Sequence, residues 1–303
     1  LSNDGVEFYF KEKEQKKFIF LISNAYFRTA WKYEKRAIRY LLLDTGHYVG
    51  SIFSALELEG INCEIDFNFD KTGLNGEFSF DNFESFYTSI VVKSDKTIEP
   101  RKLRAPIINV CACDYQLKES FVEDFYKNCP KDDFEKISNI DLLSDLSKND
   151  LENSINNRRS IRAFLGKEIS EEDFSFITKN IFEFANKFNI EIYFTNNNIE
   201  GMKKGLYKNV TLIKEGAFKE KMTMLGLNQK ISGQSGFTLI FTSNITNNYF
   251  YSYILSGFIA QILYLRTTSR KLSCSGIGAY FDDETREFLD TKNNIFYFFS
   301  IGK

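Results

Sequence analysis

The stretch YLLLDTGHYVGSIFSALELEGINC, residues 40–63, has a counterpart later in the chain, YSYILSGFIAQILYLRTTSRKLSC, at residues 251–274. A single offset of 211 aligns three pairs of residues between the two copies: Gly46 with Gly257, Cys63 with Cys274, and Ser89 with Ser300. Because one offset holds across three segments, the sequence predicts an internal repeat, in which two similar units form one polypeptide.

The segments ahead of these stretches are FIFLISN (residues 18–24) and FTLIFTSN (residues 237–244), and each reads as a short buried strand. Their common Ser-Asn aligns at an offset of 220, so the second copy lacks nine residues between strand and helix. The first copy has FRTAWKYEKR, residues 27–36, in that place. A scaffold must be shared by both copies, so a segment found in only one copy is expected to serve a site.

Both long segments carry apolar side chains at the spacing of a buried helical face. These residues are Val49, Ile52, Phe53 and Leu56 in the first copy, and Phe258, Ile259, Ile262 and Leu263 in the second. We therefore expect two core helices that pack on each other or on their own sheets.

The composition limits the class of protein. The 303 residues are 43% hydrophobic with a net charge of -2, which disfavours a nucleic-acid-binding protein. The sequence shows neither an apolar run of about 20 residues nor a signal-peptide pattern, so we expect no membrane span and a cytoplasmic location. The five cysteines are scattered and odd in number, which favours reduced thiols, and Cys111-Ala-Cys113 lacks the partner motif of a metal site. The chain starts at Leu1 instead of Met, as expected of a piece of a longer protein.

The segment LENSINNRRSIRAFLGKEISEEDF, residues 151–174, places three arginines and a serine within five positions: Arg158, Arg159, Ser160 and Arg162. Guanidinium groups bind phosphate oxygens in pairs, and a neighbouring hydroxyl adds a donor. The same cluster is also compatible with an ordinary solvated surface. Ser170 has the position of an N-cap, which predicts a helix over residues 173–188.

The motifs RRSIRAF and GIGAYFDDETREFL, followed by a terminal strand, resemble the flavin-dependent nitroreductase superfamily. The segment KYEKRAIRYLLLDTGH, residues 32–47, resembles more specifically the SagB-type azoline dehydrogenases of thiazole/oxazole-modified peptide biosynthesis. The resemblance covers residues 5–92 and 153–303. It implies an α+β, nitroreductase-like fold with antiparallel-rich sheets flanked by helices. It also implies two lobes as an internal pseudo-dimer: residues 1–92, a connecting segment 93–150, and residues 151–303.

The resemblance further implies FMN as the cofactor. Its phosphate would be held by Arg158, Arg159, Ser160 and Arg162, with a further contact from Lys303. Backbone amides around Gly276, Gly278 and Ala279 would stabilise the reduced ring.

In the resembled family a Lys-Tyr pair is catalytic, and Lys32 and Tyr33 occupy its position. The second copy has the phosphate motif without this pair and lacks the family's glycine-rich segment. The first copy has the pair without the phosphate motif. These complementary losses predict one composite site per chain, in which Lys32 and Tyr33 reach across to the flavin.

The function implied is oxidation of azolines to azoles in a ribosomally made peptide, with Lys32 as proton acceptor and Tyr33 orienting or relaying the proton. A lysine near other cations can have its pKa lowered toward neutrality. The expected partners are the precursor peptide and cyclodehydratase proteins, with further oligomerisation left open. Two other functions remain open: an NAD(P)H-dependent nitro or quinone reductase, and a non-catalytic scaffold lobe of a peptide-modifying complex.

Overall fold

A computed structural model describes residues 15–80, 83–98, 118–128, 134, 136–244 and 249–303. Cys111, Cys113 and Cys129 lie outside these ranges. The residues in these ranges divide into two compact units, one from the described parts of 1–38 and 60–140 and the other from the described parts of 39–59 and 141–303. Most of the long helix over Ala37–Leu58 belongs to the second unit, and the lobe boundaries expected at residues 92 and 151 stay a prediction.

The elements follow in chain order. They are β1 (Gln15–Ala25), α1 (Phe27–Tyr33), a 3₁₀ turn (Glu34–Arg36), α2 (Ala37–Leu58), β2 (Cys63–Asp66), α3 (Lys71–Glu77), β3 (Glu84–Ile98), α4 (Ser120–Lys127), α5 (Lys148–Asn157), α6 (Glu171–Thr178), α7 (Ile181–Lys187), β4 (Glu191–Asn196), β5 (Gly205–Lys208), β6 (Thr211–Glu215), α8 (Lys219–Leu225), α9 (Lys230–Gln234), β7 (Phe237–Ser243), α10 (Tyr249–Ser269), β8 (Ser273–Ile277), α11 (Asp282–Leu289) and β9 (Asn294–Gly302). No helix within the described ranges combines the length and the apolarity that crossing a bilayer requires.

The first unit contains an antiparallel sheet with the order β1-β3-β2. Ile90 of β3 pairs with Phe20 on one side and Ile65 on the other, and Ile90 is fully buried. Tyr26, just before α1, is also buried and donates its hydroxyl to Glu123 of α4 at 2.8 Å. These contacts fix the start of α1, which carries Lys32 and Tyr33.

The second unit contains an antiparallel sheet with the order β6-β5-β4-β7-β9-β8. Every residue of β7 is buried, as expected for FTLIFTSN. Helix α10 packs against β8 and β9 and is buried from Phe250 to Thr267, which confirms the predicted core face. The expected α+β class with antiparallel sheets is thus confirmed.

Two glycines allow α2 and α10 to cross closely within the second unit. A Cβ on Gly46 would collide with the backbone of Ile254, and one on Gly257 would collide with the carbonyl of Leu43. Only glycine permits backbones to approach this closely. The aligned glycines of the repeat therefore lie against each other, which confirms that the two helices pack together.

The helix predicted over residues 173–188 is instead two helices, α6 and α7. Ser170 accepts a hydrogen bond from the Asp173 amide at 3.1 Å, as an N-cap should. The helical conformation is then interrupted at Asn180, whose φ of 63° lies in the left-handed region. Asparagine adopts this conformation more readily than most residues, so a continuous apolar pattern concealed a break.

Candidate functional site

The second unit contains a cavity of about 480 Å³. Its walls come from α2, from the segment after α5, from α10, and from β8 and β9. The lining residues are Asp44, His47, Tyr48, Ser51, Arg158, Ser160, Gln261, Tyr264, Gly276 and Tyr297.

The arginine-rich segment forms one wall because it is extended. Helix α5 ends before Arg158, whose φ and ψ are -53° and 127°. Ser160 then forms a parallel bridge with Cys274, and the Ile161 amide donates to the Cys274 carbonyl at 3.0 Å. Alternate side chains of extended backbone point to opposite sides. Arg158 and Ser160 accordingly line the cavity, whereas Arg159 between them is not part of its lining.

The Arg158 guanidinium is available to an anion. It lies 4.9 Å from the centroid of the Tyr264 ring, which is a cation–π contact. The described residues offer it neither an ion pair nor a side-chain hydrogen bond. The charge of this half-buried arginine is therefore uncompensated at the cavity wall, and a phosphate or carboxylate would satisfy it.

Tyr264 connects Ser160 to β8. Its hydroxyl oxygen accepts a hydrogen bond from the Gly276 amide at 3.0 Å and lies 2.9 Å from Ser160 Oγ. When Tyr264 donates to Ser160, the hydrogen of Ser160 is left for a ligand. Ser160 can then act beside Arg158 as a second donor toward an anion.

Helix α2 forms another wall through Asp44, His47 and Ser51, which share one helical face. His47 Nδ1 lies 3.2 Å from Gln261 Oε1, and His47 Nε2 lies 3.2 Å from the Tyr297 hydroxyl. Burial lowers the pKa of His47 to about 4, and the positive charge of Arg158 lowers it further against the effect of the Gln261 hydrogen bond. His47 is thus neutral at pH 7, with Nδ1–H donating to Gln261 and Nε2 accepting from Tyr297.

Asp44 is the acidic residue of the lining. Desolvation raises the pKa of its carboxyl to about 6. The residue is exposed by surface area, yet the wall around it is concave, so protein atoms replace part of its hydration shell. Among the described residues Asp44 has no hydrogen-bond or ion-pair partner. The cavity therefore presents one uncompensated cation and one uncompensated carboxylate.

The structure brings together only some of the residues expected to hold a cofactor. Arg158, Ser160 and Gly276 line the cavity, whereas the remaining candidates, which are Arg159, Arg162, Gly278, Ala279 and Lys303, are not part of its described lining. The Arg159 guanidinium donates to the Arg158 carbonyl at 2.9 Å.

The glycine segment of β8 is largely occupied by protein groups. The Gly276 amide already donates to Tyr264, and the Tyr297 hydroxyl covers the position of a Gly276 Cβ. The ring of Tyr40 similarly covers Gly278. The Ala279 carbonyl lies 3.4 Å from Gln229 Nε2, which donates to it.

Lys32 and Tyr33 lie at the end of α1 in the first unit. Lys32 is exposed, and its Nζ lies 5.1 Å from the centroid of the half-buried Tyr33 ring. Lys35 lies in the same way 5.7 Å from the Phe121 ring. Helix α1 and the 3₁₀ turn fall in the segment that is present in only one copy of the repeat.

Sequence reasoning missed the wall formed by Asp44, His47 and Ser51, and also the polar groups of α10. Two signals were present. Asp44, His47 and Ser51 form a polar stripe on an otherwise apolar helix, and Gln261 and Tyr264 interrupt the apolar run of α10.

The described ranges contain no cluster of three or more His, Cys, Asp or Glu side chains that could hold a metal ion.

The sequence profile of the Nitroreductase family matches residues 155–303. A Methanocaldococcus jannaschii protein named as a nitroreductase is 22% identical over 187 residues, which cover 53% of this chain and 94% of that protein.

Two solved structures are also similar. A crystal structure from Anabaena variabilis, of a protein named as a nitroreductase, matches with a TM-score of 0.75 and 20% identity, covering 94% of this chain and 69% of that chain. The FMN-dependent nitroreductase NfnB of Mycobacterium smegmatis, in complex with NADPH, matches with a TM-score of 0.38 and 13% identity over 51% of this chain and 87% of that chain. The first of these likenesses shows that the fold is nitroreductase-like.

Proposed function

We propose that the protein is an FMN-dependent oxidoreductase, because residues 155–303 match the Nitroreductase family model. The observation that carries the proposal is the cavity wall to which Arg158 and Ser160 both contribute and where each contacts Tyr264. An uncompensated guanidinium beside a hydroxyl is the donor set that a phosphate monoester requires.

The residues of the cavity fit FMN. A cavity of about 480 Å³ lies within the usual range for cofactor sites. Arg158 and Ser160 would hold the phosphate. The chemistry that FMN supplies when bound is hydride transfer.

Neutral His47 positions two other side chains of the cavity. Both of its ring nitrogens are engaged, by Gln261 and Tyr297, so it fixes these two side chains instead of adding a second cation. Arg158 therefore supplies the positive charge that the described lining offers to a phosphate.

The test is a titration of the purified chain with FMN, followed by the quenching of flavin fluorescence. We expect saturable binding at one flavin per chain, and a protein that keeps its yellow colour through gel filtration. A chain that is correctly folded by circular dichroism but leaves FMN fluorescence unchanged would contradict the proposal.

We further propose that the reaction is the oxidation of azolines to azoles in a peptide. The support is the Lys32-Tyr33 pair, found only in the first copy of the repeat. Lys32 would accept the proton that leaves the azoline carbon, and the Tyr33 hydroxyl would orient or relay it. An exposed lysine at the end of a short helix is accessible to a peptide.

A synthetic peptide that carries one thiazoline tests this finer proposal. Mass spectrometry should detect the loss of two hydrogens in the presence of FMN-loaded protein. Rapid NAD(P)H-dependent reduction of nitro compounds or quinones, with the peptide unchanged, would favour a reductase instead.

A further inference from the structure

The cavity presents two opposite charges that the described residues leave without partners, Arg158 on the segment after α5 and Asp44 on α2. The proposed phosphate site accounts for Arg158 but leaves Asp44 without a role. A carboxylate in a concave wall loses hydration, and a hydrogen-bond donor on a ligand would replace the lost water.

We propose that Asp44, together with Ser51 on the same face of α2, binds the hydroxyl groups of the ribityl chain of the flavin. This inference rests on the proposed function and adds a second recognition point that does not involve the phosphate.

The hydrogen bonds of α2 favour this type of ligand group. The Ser51 hydroxyl donates to the His47 carbonyl at 2.9 Å, so its oxygen is left as an acceptor. An ionised carboxylate is also an acceptor. Both groups therefore require donors, and an alcohol chain supplies a row of them.

The two charges also determine which end of the ligand lies at each wall of the cavity. A phosphate placed against Asp44 would meet a like charge, whereas at Arg158 and Ser160 it meets an opposite charge and a donor. The phosphate is accordingly expected at the arginine segment, with the polyhydroxyl chain along α2.

The protonation of Asp44 gives a signature that a structural role alone would not produce. Its carboxyl pKa is raised to about 6 by desolvation, so it ionises between pH 5 and 7. Burial lowers the pKa of His47 to about 4 and raises the pKa of Tyr264 and of Tyr297, so these three groups of the lining do not change charge in that window. Tyr48 is exposed.

Riboflavin, which lacks the phosphate, is the probe that isolates this contact, because the phosphate of FMN itself titrates near pH 6. Riboflavin affinity for the wild type should rise as pH increases through 6, since an ionised carboxylate is the stronger acceptor. Asp44→Asn should lose this pH dependence.

The experiment is a fluorescence titration of riboflavin and FMN with wild type, Asp44→Asn, Asp44→Ala and Arg158→Ala. Asp44→Asn should weaken both flavins at pH 7.5 by the same factor of about ten. Arg158→Ala should weaken FMN and leave riboflavin nearly unchanged. Glu183→Gln, which removes a carboxylate from an exposed ion pair with Lys187, is the control for lost charge.

The outcomes separate the two proposals. A wild type that binds neither flavin would contradict the proposed function itself. FMN binding that is lost in Arg158→Ala but unchanged in both Asp44 variants would overturn only the role of Asp44. Tighter binding of FMN alone in Asp44→Asn would also overturn it, because it would place the carboxylate against the phosphate.

Discussion

The two sheets of the protein share a core arrangement but differ in what is added to it. Strands β1, β3 and β2 of the first unit and β7, β9 and β8 of the second have the same order and the same antiparallel sense. The second sheet continues through β4, β5 and β6, and the arginine segment runs along β8. The first unit has α1 and its 3₁₀ turn instead.

The strand register shows how far the similarity extends. Cys63 lies opposite Val92, whereas Cys274 lies opposite Ile301, so the cysteines differ by 211 positions and their partners by 209. The topology of the repeat is retained, and the residue-by-residue alignment of the last strands is shifted by two. Shared topology therefore identifies the scaffold, whereas the arginine segment with Arg158 and Ser160 is an addition that completes a cavity lined mainly by shared elements.

The largest effect is predicted for the segment found only in the first copy. Lys32→Ala should lower azoline oxidation by about 10²–10⁴-fold, as expected for loss of a positioned general base, and should retain FMN. Lys35→Ala, which removes a neighbouring exposed lysine, should have little effect. Tyr33→Phe should lose less azoline oxidation than Lys32→Ala, because only the hydroxyl is removed.

Peptide mass spectrometry and a flavin absorbance spectrum of the same preparations measure these effects. Normal turnover by Lys32→Ala would show that the segment is a solvated helix.

The second effect concerns two consecutive arginines of the second unit. Arg158→Ala should weaken FMN by about tenfold to a hundredfold, through loss of a charge-assisted hydrogen bond. Arg159→Ala should cost much less, because its side chain is exposed and donates to the Arg158 carbonyl. Equilibrium dialysis with FMN compares the two variants. The opposite ranking would show that the extended segment presents its other side to the cofactor.

The third effect tests the crossing of α2 and α10. Gly46→Ala should lower the free energy of unfolding by about 1–3 kcal/mol, since the new methyl group meets backbone that cannot move aside. Gly76→Ala is a matched helical control, because a Cβ there has no atom within 4 Å. Better helix propensity should make that change neutral or slightly stabilising. Urea denaturation measures both, and equal stabilities would mean that the helices cross elsewhere.

The apolar face of α2 could be predicted from sequence, but its polar face could not be interpreted. Val49 and Phe53 are buried as the helical spacing requires, and Ile52 and Leu56 are half-buried. Asp44 has the spacing of an ordinary solvated face. It becomes part of a cavity wall only because a second helix, distant in sequence, crosses α2.

The sequence also cannot distinguish which of the neighbouring arginines, Arg158 or Arg159, lines the cavity, because both belong to the same motif. Their different exposure follows from the bridge between Ser160 and Cys274, which makes the segment extended. A pairing between residues more than a hundred positions apart leaves no local pattern. The Ser170 cap, in contrast, depends on three consecutive neighbours and was predictable.

The smallest effect is on the pH dependence of stability. The unfolded chain protonates His47 below pH 6.5 but the folded chain only near pH 4, so acidification between these values destabilises the fold. Asp44 acts in the opposite direction, because its carboxyl keeps a proton up to about pH 6 in the folded chain. The two contributions offset each other in wild type. Asp44→Asn should therefore lose stability more steeply than wild type between pH 6 and 4.5 in urea denaturation. Parallel profiles would contradict the shifted pKa values.

The central claim is that the cavity of the second unit holds the phosphate of a flavin, and a crystal structure of the protein with FMN tests it most directly. The predicted result is a phosphate within hydrogen-bond distance of Arg158 and Ser160, with the ribityl chain along α2. A flavin whose phosphate lies against Arg159 and Arg162, with the cavity left to water, would contradict it.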